Sequence, residues 1–317
     1  MSKVASRLAP TPSGYLHLGN AFSFVLTWLL VRHHGGTLHL RIDDADAARV
    51  RPEYVDDIFH TLAWLGLDWD TGPEGPADFY RHYSQQLREA LYQSALQQLS
   101  AVPEAVFACT CTRAQLRRQS VDGLYPGTCR ARHRALDTPG CAWRLRVPEG
   151  LQVTFQAWGG DSSTVDLSQA MGDFVVRKKD GSPAYQLSSV VDDLHYGTTL
   201  IVRGLDLLPS TAAQVYLAQQ LAQVTPTYAA FGDVLFYHHP LVQLASGEKL
   251  SKSAGAQSVR EARPSAASFY QVIAKSLGYS VPLPTSAAEL LARFAEAALP
   301  TSPNATLHAS DFTPSPH

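Results

Sequence analysis

Residues 20–34, Asn-Ala-Phe-Ser-Phe-Val-Leu-Thr-Trp-Leu-Leu-Val-Arg-His-His, form a helix too apolar to be anything but buried, and Gly35-Gly36 stops it. A helix without a polar face belongs inside a layered fold, covered by other elements. Before it, Arg7-Leu-Ala-Pro-Thr-Pro-Ser-Gly14-Tyr-Leu-His17-Leu-Gly19-Asn20 reads as a strand that passes through a Pro/Gly turn into the helix. After it, Leu38-His-Leu-Arg-Ile42 reads as a short buried strand. Strands alternating with long helices point to a parallel α/β sheet. The apolar run from Ala21 to Val31 is 11 residues and contains Ser23 and Thr27, whereas a membrane span needs about 20. No membrane association is expected.

Further along, Pro52–Leu65 and Ser84–Leu99 are amphipathic helices, with Ser84 a candidate N-cap. Residues 200–205 and 234–237 read as strands that end in functional loops. Residues 105–165 are irregular, short-stranded and rich in Cys and Arg, which marks an insertion. Leu290–Ala298 offers a last helix, and the Pro/Ser/Thr-rich stretch from Pro300 to His317 is expected to be disordered.

The 317 residues hold 26 Lys+Arg and 28 Asp+Glu, a net charge of −2, so the chain as a whole is not a basic nucleic-acid binder. A local basic face remains open, because binding to phosphates depends on where the cations sit. Arg113, Arg117, Arg118, Arg130, Arg132 and Arg134 lie in one stretch whose only acid is Asp122, and Arg177-Lys-Lys179 is a second run. Four cysteines exclude a disulfide scaffold, and Met1-Ser-Lys-Val-Ala-Ser lacks the apolar core of a secretory signal. A reducing, cytoplasmic location is expected.

Two stretches suit phosphate. Backbone N–H groups at the helix start near Asn20 point toward an anion, Gly14 and Gly19 permit close backbone approach, and the His17 imidazole can hydrogen-bond phosphate oxygens. Lys249-Leu-Ser-Lys252-Ser253, after Gly247, places two cations three residues apart, where they can stabilise charge on a leaving pyrophosphate. Cys109-Thr-Cys111 and Cys129 form a moderate zinc signal, with Tyr125, His133 and Cys141 as candidates for a fourth ligand.

His17-Leu-Gly-Asn20 and Lys249-Leu-Ser-Lys-Ser253, in this order and spacing, resemble the two signature stretches of class I aminoacyl-tRNA synthetases. The stretches Arg7 to Gly19, Leu40-Arg-Ile-Asp-Asp-Ala-Asp46, Gly66 to Asp70, Phe174 to Leu187, Val190-Val-Asp-Asp193 and Val202-Arg-Gly-Leu-Asp206 are similar to the glutamyl branch of that family. The similarity covers about residues 5–256. It implies a Rossmann-like α/β catalytic domain in two halves, 1–104 and 166–256, around a zinc-bearing, acceptor-binding insertion at 105–165. A short helical segment would follow at 257–299 and the tail at 300–317. The 64 residues after Ser253 are too few for the helical anticodon-binding domain of the usual glutamyl enzymes, so that domain is expected to be absent.

The resemblance also implies roles. His17, Lys249 and Lys252 would act in catalysis, and Leu8, Ala9, Pro10, Thr11, Gly19 and Lys252 would line the ATP and glutamate site. Arg7 would pair the side-chain carboxylate of glutamate, and Arg203 its other end near the α-carboxylate, each as a planar fork. The alternative for Arg203 is a structural pairing with Asp206 or Asp192. Tyr185 would add a hydroxyl and a wall. One position departs from the pattern: Asp43 stands where the family has a glutamate that receives the substrate ammonium. It keeps the charge but loses a methylene of reach.

The order Cys109, Cys111, Tyr125, Cys129 resembles the zinc site of the truncated paralogues of this branch, in which a tyrosine ligates. This favours Tyr125 as fourth ligand of one structural Zn²⁺. Those paralogues activate glutamate with ATP and Mg²⁺ without tRNA and attach it to the queuosine base of tRNA(Asp). The expected partners are therefore glutamate, ATP and the queuosine-containing anticodon arm, with the enzyme a monomer.

Overall fold

The computed structural model describes residues 3–120, 123–243, 259, 265–295, 299 and 307–308. In chain order its principal elements are β1 (Ala5–Leu8), α1 (Leu18–His33), β2 (Thr37–Leu40), α2 (Pro52–Leu65), α3 (Glu89–Ala101), β3 (Val106–Cys109), α4 (Arg113–Gln119), β4 (Ala142–Leu145), β5 (Gln152–Gln156), β6 (Ser162–Asp166), β7 (Phe174–Arg177), α5 (Tyr185–His195), β8 (Leu200–Gly204), α6 (Leu208–Ala222), β9 (Leu235–His239), β10 (Val242–Gln243), α7 (Ala266–Ser276), α8 (Ala287–Arg293) and β11 (Leu307–His308). They divide into two compact units: residues 1–84, 199–206 and 237–317, and residues 85–198 and 207–236.

In the first unit β1 and β2 run parallel, from Ala5 opposite Thr37 to Leu8 opposite Leu40. The connection between them is α1, whose Phe22, Val25, Leu26, Leu29 and Leu30 are fully buried. The all-round apolar pattern of residues 20–34 thus has its physical outlet. The turn into β2 admits only glycine at Gly36, where a Cβ would stand 2.4 Å from the Val4 carbonyl oxygen. On the far side of β2, Leu40 N–H donates to Thr71 O and Asp70 N–H to Leu38 O.

On the far side of β1, Thr199 N–H donates to Ala5 O at 2.8 Å and Ser6 Oγ to Leu200 O at 2.7 Å. The register advances in the same sense on both chains, so β8 lies parallel to β1, and β9 pairs β8 in turn. The chain therefore leaves β1 toward β2 on one side and has β8 on the other. A topological switch point results, and ligands of open α/β sheets bind outside the carboxyl ends of the strands there. Helix α7 packs on α2, with Trp64 and Phe269 rings 5.4 Å apart and Tyr270 Oη donating to Leu65 O. Leu307–His308 pairs in parallel with Val242–Gln243.

The second unit contains the antiparallel sheet β3-β4-β7 and the hairpin β5-β6. Its polar centre is Asp192, fully buried on α5. Arg88 binds it through Nε at 3.0 Å and Nη2 at 2.8 Å, and Gln85 Nε2 and Tyr92 Oη donate at 2.8 and 2.9 Å. This satisfies a buried carboxylate that would otherwise be costly. Against the downward push of burial, Asp192 holds the Arg88 guanidinium above its usual value.

Two expectations need correction. Ser84 is not the N-cap of the α-helix: α3 starts at Glu89, after a 3₁₀ turn over Gln85–Arg88, and the Ser84 Oγ donates to the fully buried Asp44 at 2.5 Å. The last helix starts earlier than Leu290, at Ala287, and ends at Arg293. Among the described residues no helix is long and apolar enough to cross a membrane. The Lys249–Ser253 stretch lies outside the described residues, as do 296–298 and, apart from Leu307–His308, the tail.

Candidate functional site

Arg7 is the third residue of β1 and Arg203 the fourth of β8. Both are buried, 7% and 4% exposed, toward the carboxyl ends of adjacent parallel strands. Leu8, Ala9 and Pro10 continue β1, and the chain after β2 stays alongside them: Arg41 N–H donates to Leu8 O and Asp43 N–H to Pro10 O, at 2.9 and 2.8 Å. Thr11 is exposed, and its carbonyl accepts from Ser13 N–H in the turn toward α1. The switch point thus collects Arg7, Leu8, Ala9, Pro10, Asp43 and Arg203.

Asp43 is not a bare carboxylate. Arg41 Nε donates to its Oδ1 at 2.6 Å and Nη2 to its Oδ2 at 3.2 Å, and both side chains are buried. A forked pair of this kind fixes the carboxylate in direction as well as place.

His17 is the residue from which α1 starts, with its own N–H donating to Asn20 Oδ1 at 3.1 Å. A Cβ at Gly19 would stand 3.1 Å from Nδ1 and 3.2 Å from Cε1 of the His17 ring, a contact tight enough that the ring would have to give. The imidazole therefore lies over the first turn, beside the amides that a helix start leaves open. Two contacts hold the loop behind it. Leu16 N–H donates to the buried Asp57 Oδ2 at 2.9 Å, and Val259 N–H donates to Leu16 O at 2.8 Å. Val259, seven residues after Lys252 in the sequence, is thereby tied to the residue next to His17. Lys249 and Lys252 themselves are outside the described residues.

Sequence reasoning missed Asp57, Arg41 and the pair His238–His239. Asp57 could have been found as a carboxylate between Val55, Ile58 and Thr61 on the buried face of α2. The histidines had no local signal. Burial and the Arg203 charge push His238 down to about 3, and burial pushes His239 down to about 4. Both imidazoles are neutral at pH 7, so the cationic character here comes from the arginines.

The second unit holds Tyr185, the first residue of α5 and 42% exposed. Asp192 is bound by Arg88, Gln85 and Tyr92. The same unit brings Cys109, Cys111 and Cys129 together, all three sulfurs within 4.8 Å of one another and Cys111 Sγ 3.6 Å from Cys129 Sγ. A tetrahedral zinc with Zn–S near 2.3 Å sets sulfurs about 3.8 Å apart, so the spacing fits. Tyr125 Oη is 3.5 Å from Cys109 Sγ and accepts the Cys129 N–H at 2.8 Å. Cys141 is elsewhere, its thiol donating to Leu136 O, and His133 is exposed.

Burial pushes the Cys111 thiol up to about 11. Burial also pushes Cys129 upward, but hydrogen bonds from the Thr110 backbone and the Tyr125 hydroxyl outweigh it and hold that thiol down at about 7. Lys179 Nζ donates to Thr110 O, between the two paired cysteines. Arg113, Arg117, Arg118, Arg132 and Arg134 are exposed, whereas Arg130 is spent on Asp173 at 3.4 Å and Val147 O at 3.0 Å.

The comparisons with known proteins agree with this geometry. The family model described as tRNA synthetases class I (E and Q), catalytic domain, matches residues 3–269. The chain is 40% identical over 267 residues to a glutamyl-Q tRNA(Asp) synthetase of Burkholderia cenocepacia, covering 81% of this chain and 83% of the relative. It is 37% identical to a protein of the same name from Nitratidesulfovibrio vulgaris, covering 96% and 95% of the two. The fold is similar to the glutamate-tRNA synthetase of Elizabethkingia anophelis, with a TM-score of 0.76 at 23% identity over 98% of this chain and 69% of that one.

Proposed function

Because the chain belongs to the class I tRNA synthetases, in their glutamyl and glutaminyl catalytic-domain family, we propose that it activates glutamate with ATP and passes the glutamyl group to the queuosine base of tRNA(Asp). The observation that carries the reading is the pair of buried guanidinium groups, Arg7 and Arg203, at the switch point of a sheet whose first helix starts at His17. A dicarboxylic amino acid needs two cations, and a triphosphate needs a helix start that glycine leaves open.

In this reading Arg7 takes the side-chain carboxylate and Arg203 orients the α-carboxylate. Asp43, aimed by Arg41, receives the ammonium. One α-carboxylate oxygen attacks the α-phosphorus of ATP, the bond to the β-phosphate oxygen breaks, and Mg²⁺-bound pyrophosphate leaves. The His17 side chain and the first amides of α1 hold phosphate oxygens. Lys249 and Lys252 neutralise charge as it builds on the leaving group. A queuosine hydroxyl then attacks the adenylate carbonyl, the bond from that carbon to the phosphate oxygen breaks, and AMP leaves while the hydroxyl proton passes to solvent. Positioning and charge stabilisation carry both steps without a protein nucleophile. Glutamate-dependent exchange between ATP and labelled pyrophosphate, in the absence of RNA, tests the first step.

Cys109, Cys111, Cys129 and Tyr125 would hold one Zn²⁺ in a closed structural site. Bound there, it would supply crosslinking of the loops around Thr110 and Tyr125. The purified protein is expected to carry about one zinc per chain, and Cys111→Ser to lose it together with thermal stability, because metal binding is coupled to folding. Metal analysis and thermal melting check this. Zinc retained in full by Cys129→Ser but lost by Cys141→Ser would overturn the ligand set.

The Arg41–Asp43 fork sharpens the one departure from the family pattern. Asp43→Glu regains reach to the ammonium but forces a methylene into a buried pair, so a stability loss of about 1–3 kcal/mol is expected in denaturant melts. The KM for glutamate in exchange should stay equal or fall. A rise beyond about tenfold, about 1.4 kcal/mol, would show that the pocket is built around the shorter acid and that the amino acid needs screening afresh.

A further inference from the structure

The second unit carries a cleft of about 470 Å³ beside the thiol cluster, with Leu116, Arg117, Tyr125, Arg144, Asp173 and Phe174 in its lining. Among the described residues its walls combine apolar surface with one committed acid and two guanidinium groups. Asp173 offers no free negative charge: it accepts Val147 N–H at 2.8 Å and pairs Arg130 at 3.4 Å. Arg144 lies over the Tyr125 ring with its guanidinium carbon 3.9 Å from the centroid, and its Nη1 donates to Asp173 O at 2.8 Å. The residue is 9% exposed, yet its Nε has no hydrogen-bond partner among the described residues. Arg117 is exposed on α4.

Apolar walls, a guanidinium group stacked on an aromatic ring and an exposed cation suit a flat heterocycle that carries a phosphate. Single-stranded RNA is recognised in this way, by splayed bases against aromatic, aliphatic and guanidinium surfaces. A free nucleotide has the same chemistry. The surroundings favour the polymer, since the cleft lies in the stretch where Arg113, Arg118, Arg132 and Arg134 are also exposed, cations that only a longer backbone could use.

We propose that this cleft receives one unstacked nucleotide of the RNA substrate, the base inside it and the phosphate on Arg117. The inference rests on the reading of the chain as a tRNA-modifying synthetase and adds a second point of attachment, apart from the switch point.

The test is binding of the fluorescent queuosine-containing anticodon arm of tRNA(Asp) to the full chain, followed by anisotropy without ATP. Leu116→Trp, which fills the cleft, and Arg117→Glu, which reverses the charge at the same lining, should each raise the Kd at least about tenfold, the scale of one base contact. Leu116→Trp should keep its zinc and exchange ATP with pyrophosphate within about twofold of the parent. Unchanged Kd values in both variants would overturn the proposal. So would AMP displacing the arm as well as the unlabelled arm does, since the ligand would then be a free nucleotide. A parent protein that binds the arm but shows no glutamate-dependent exchange would overturn the proposed activity and leave this site standing.

Discussion

Glutamate-dependent exchange of pyrophosphate into ATP is expected to fall by at least about 10²-fold in Lys252→Ala, the scale of removing one group aimed at developing charge. The argument is electrostatic. As the bond to the α-phosphorus breaks, negative charge gathers on the leaving pyrophosphate, and a cation that meets it there lowers the barrier without having to bind ground-state ATP more tightly. The loss should therefore fall on kcat, with the KM for ATP changing less. Val259 N–H donates to Leu16 O, beside His17, where the other phosphate contacts are expected. An unchanged exchange rate in the variant would remove Lys252 from the mechanism. A parent protein that exchanges with no amino acid would remove the activation step altogether.

The first unit was legible in the sequence because its constraints are local and redundant. An all-apolar helix between two short strands leaves few packings, and β1-α1-β2 follows from that. Pro52–Leu65 is bounded by Pro at its first turn and Gly66 after its last, and α2 has those limits in the structure. The second unit was less legible. Its antiparallel pairings β3-β4-β7 and β5-β6 join residues whose order in the chain gives no periodic signal beyond the alternation in β5. The Ser84 assignment failed for a long-range reason, since its acceptor Asp44 lies 40 residues away.

The site divides along the same line. Arg7, His17, Gly19 and Arg203 sit in dense local motifs, and the geometry adds that a Cβ at Gly19 would press on the His17 ring. Asp43 was legible as a departure, but its fork with Arg41 was not, although the two are neighbours in sequence. Residues i and i+2 of an extended chain share a face, so the two can meet, but nothing local in the sequence says that the guanidinium folds back onto this carboxylate rather than reaching elsewhere. His238 and His239 were invisible because their character is set by burial and by Arg203, a residue distant in the chain.

Labelled glutamate is expected to appear on tRNA(Asp) that contains queuosine and on its isolated anticodon arm, and not on transcripts that lack the modified base. The contrast should be all or none, because the acceptor is a hydroxyl that only the modified base carries. The relative from Nitratidesulfovibrio vulgaris, named for tRNA(Asp), is similar over 96% of this chain, which places the likeness across both units. The exposed arginines of the 113–134 stretch are the candidates for phosphate contacts. If several of them act, transfer efficiency should drop steeply between 50 and 200 mM salt, with a slope near −0.7 for each phosphate met on a single strand, on the order of the counter-ion release expected for such contacts. Periodate treatment is a poor control for the 3′ end, since it also cleaves the cis-diol of queuosine. Removal of the 3′-terminal adenosine separates the two acceptors. Labelling that survives trimming, and survives on the arm alone, assigns the glutamate to the anticodon base. Labelling abolished by trimming would assign it to the 3′ end, and the chain would then be a synthetase of the ordinary charging kind.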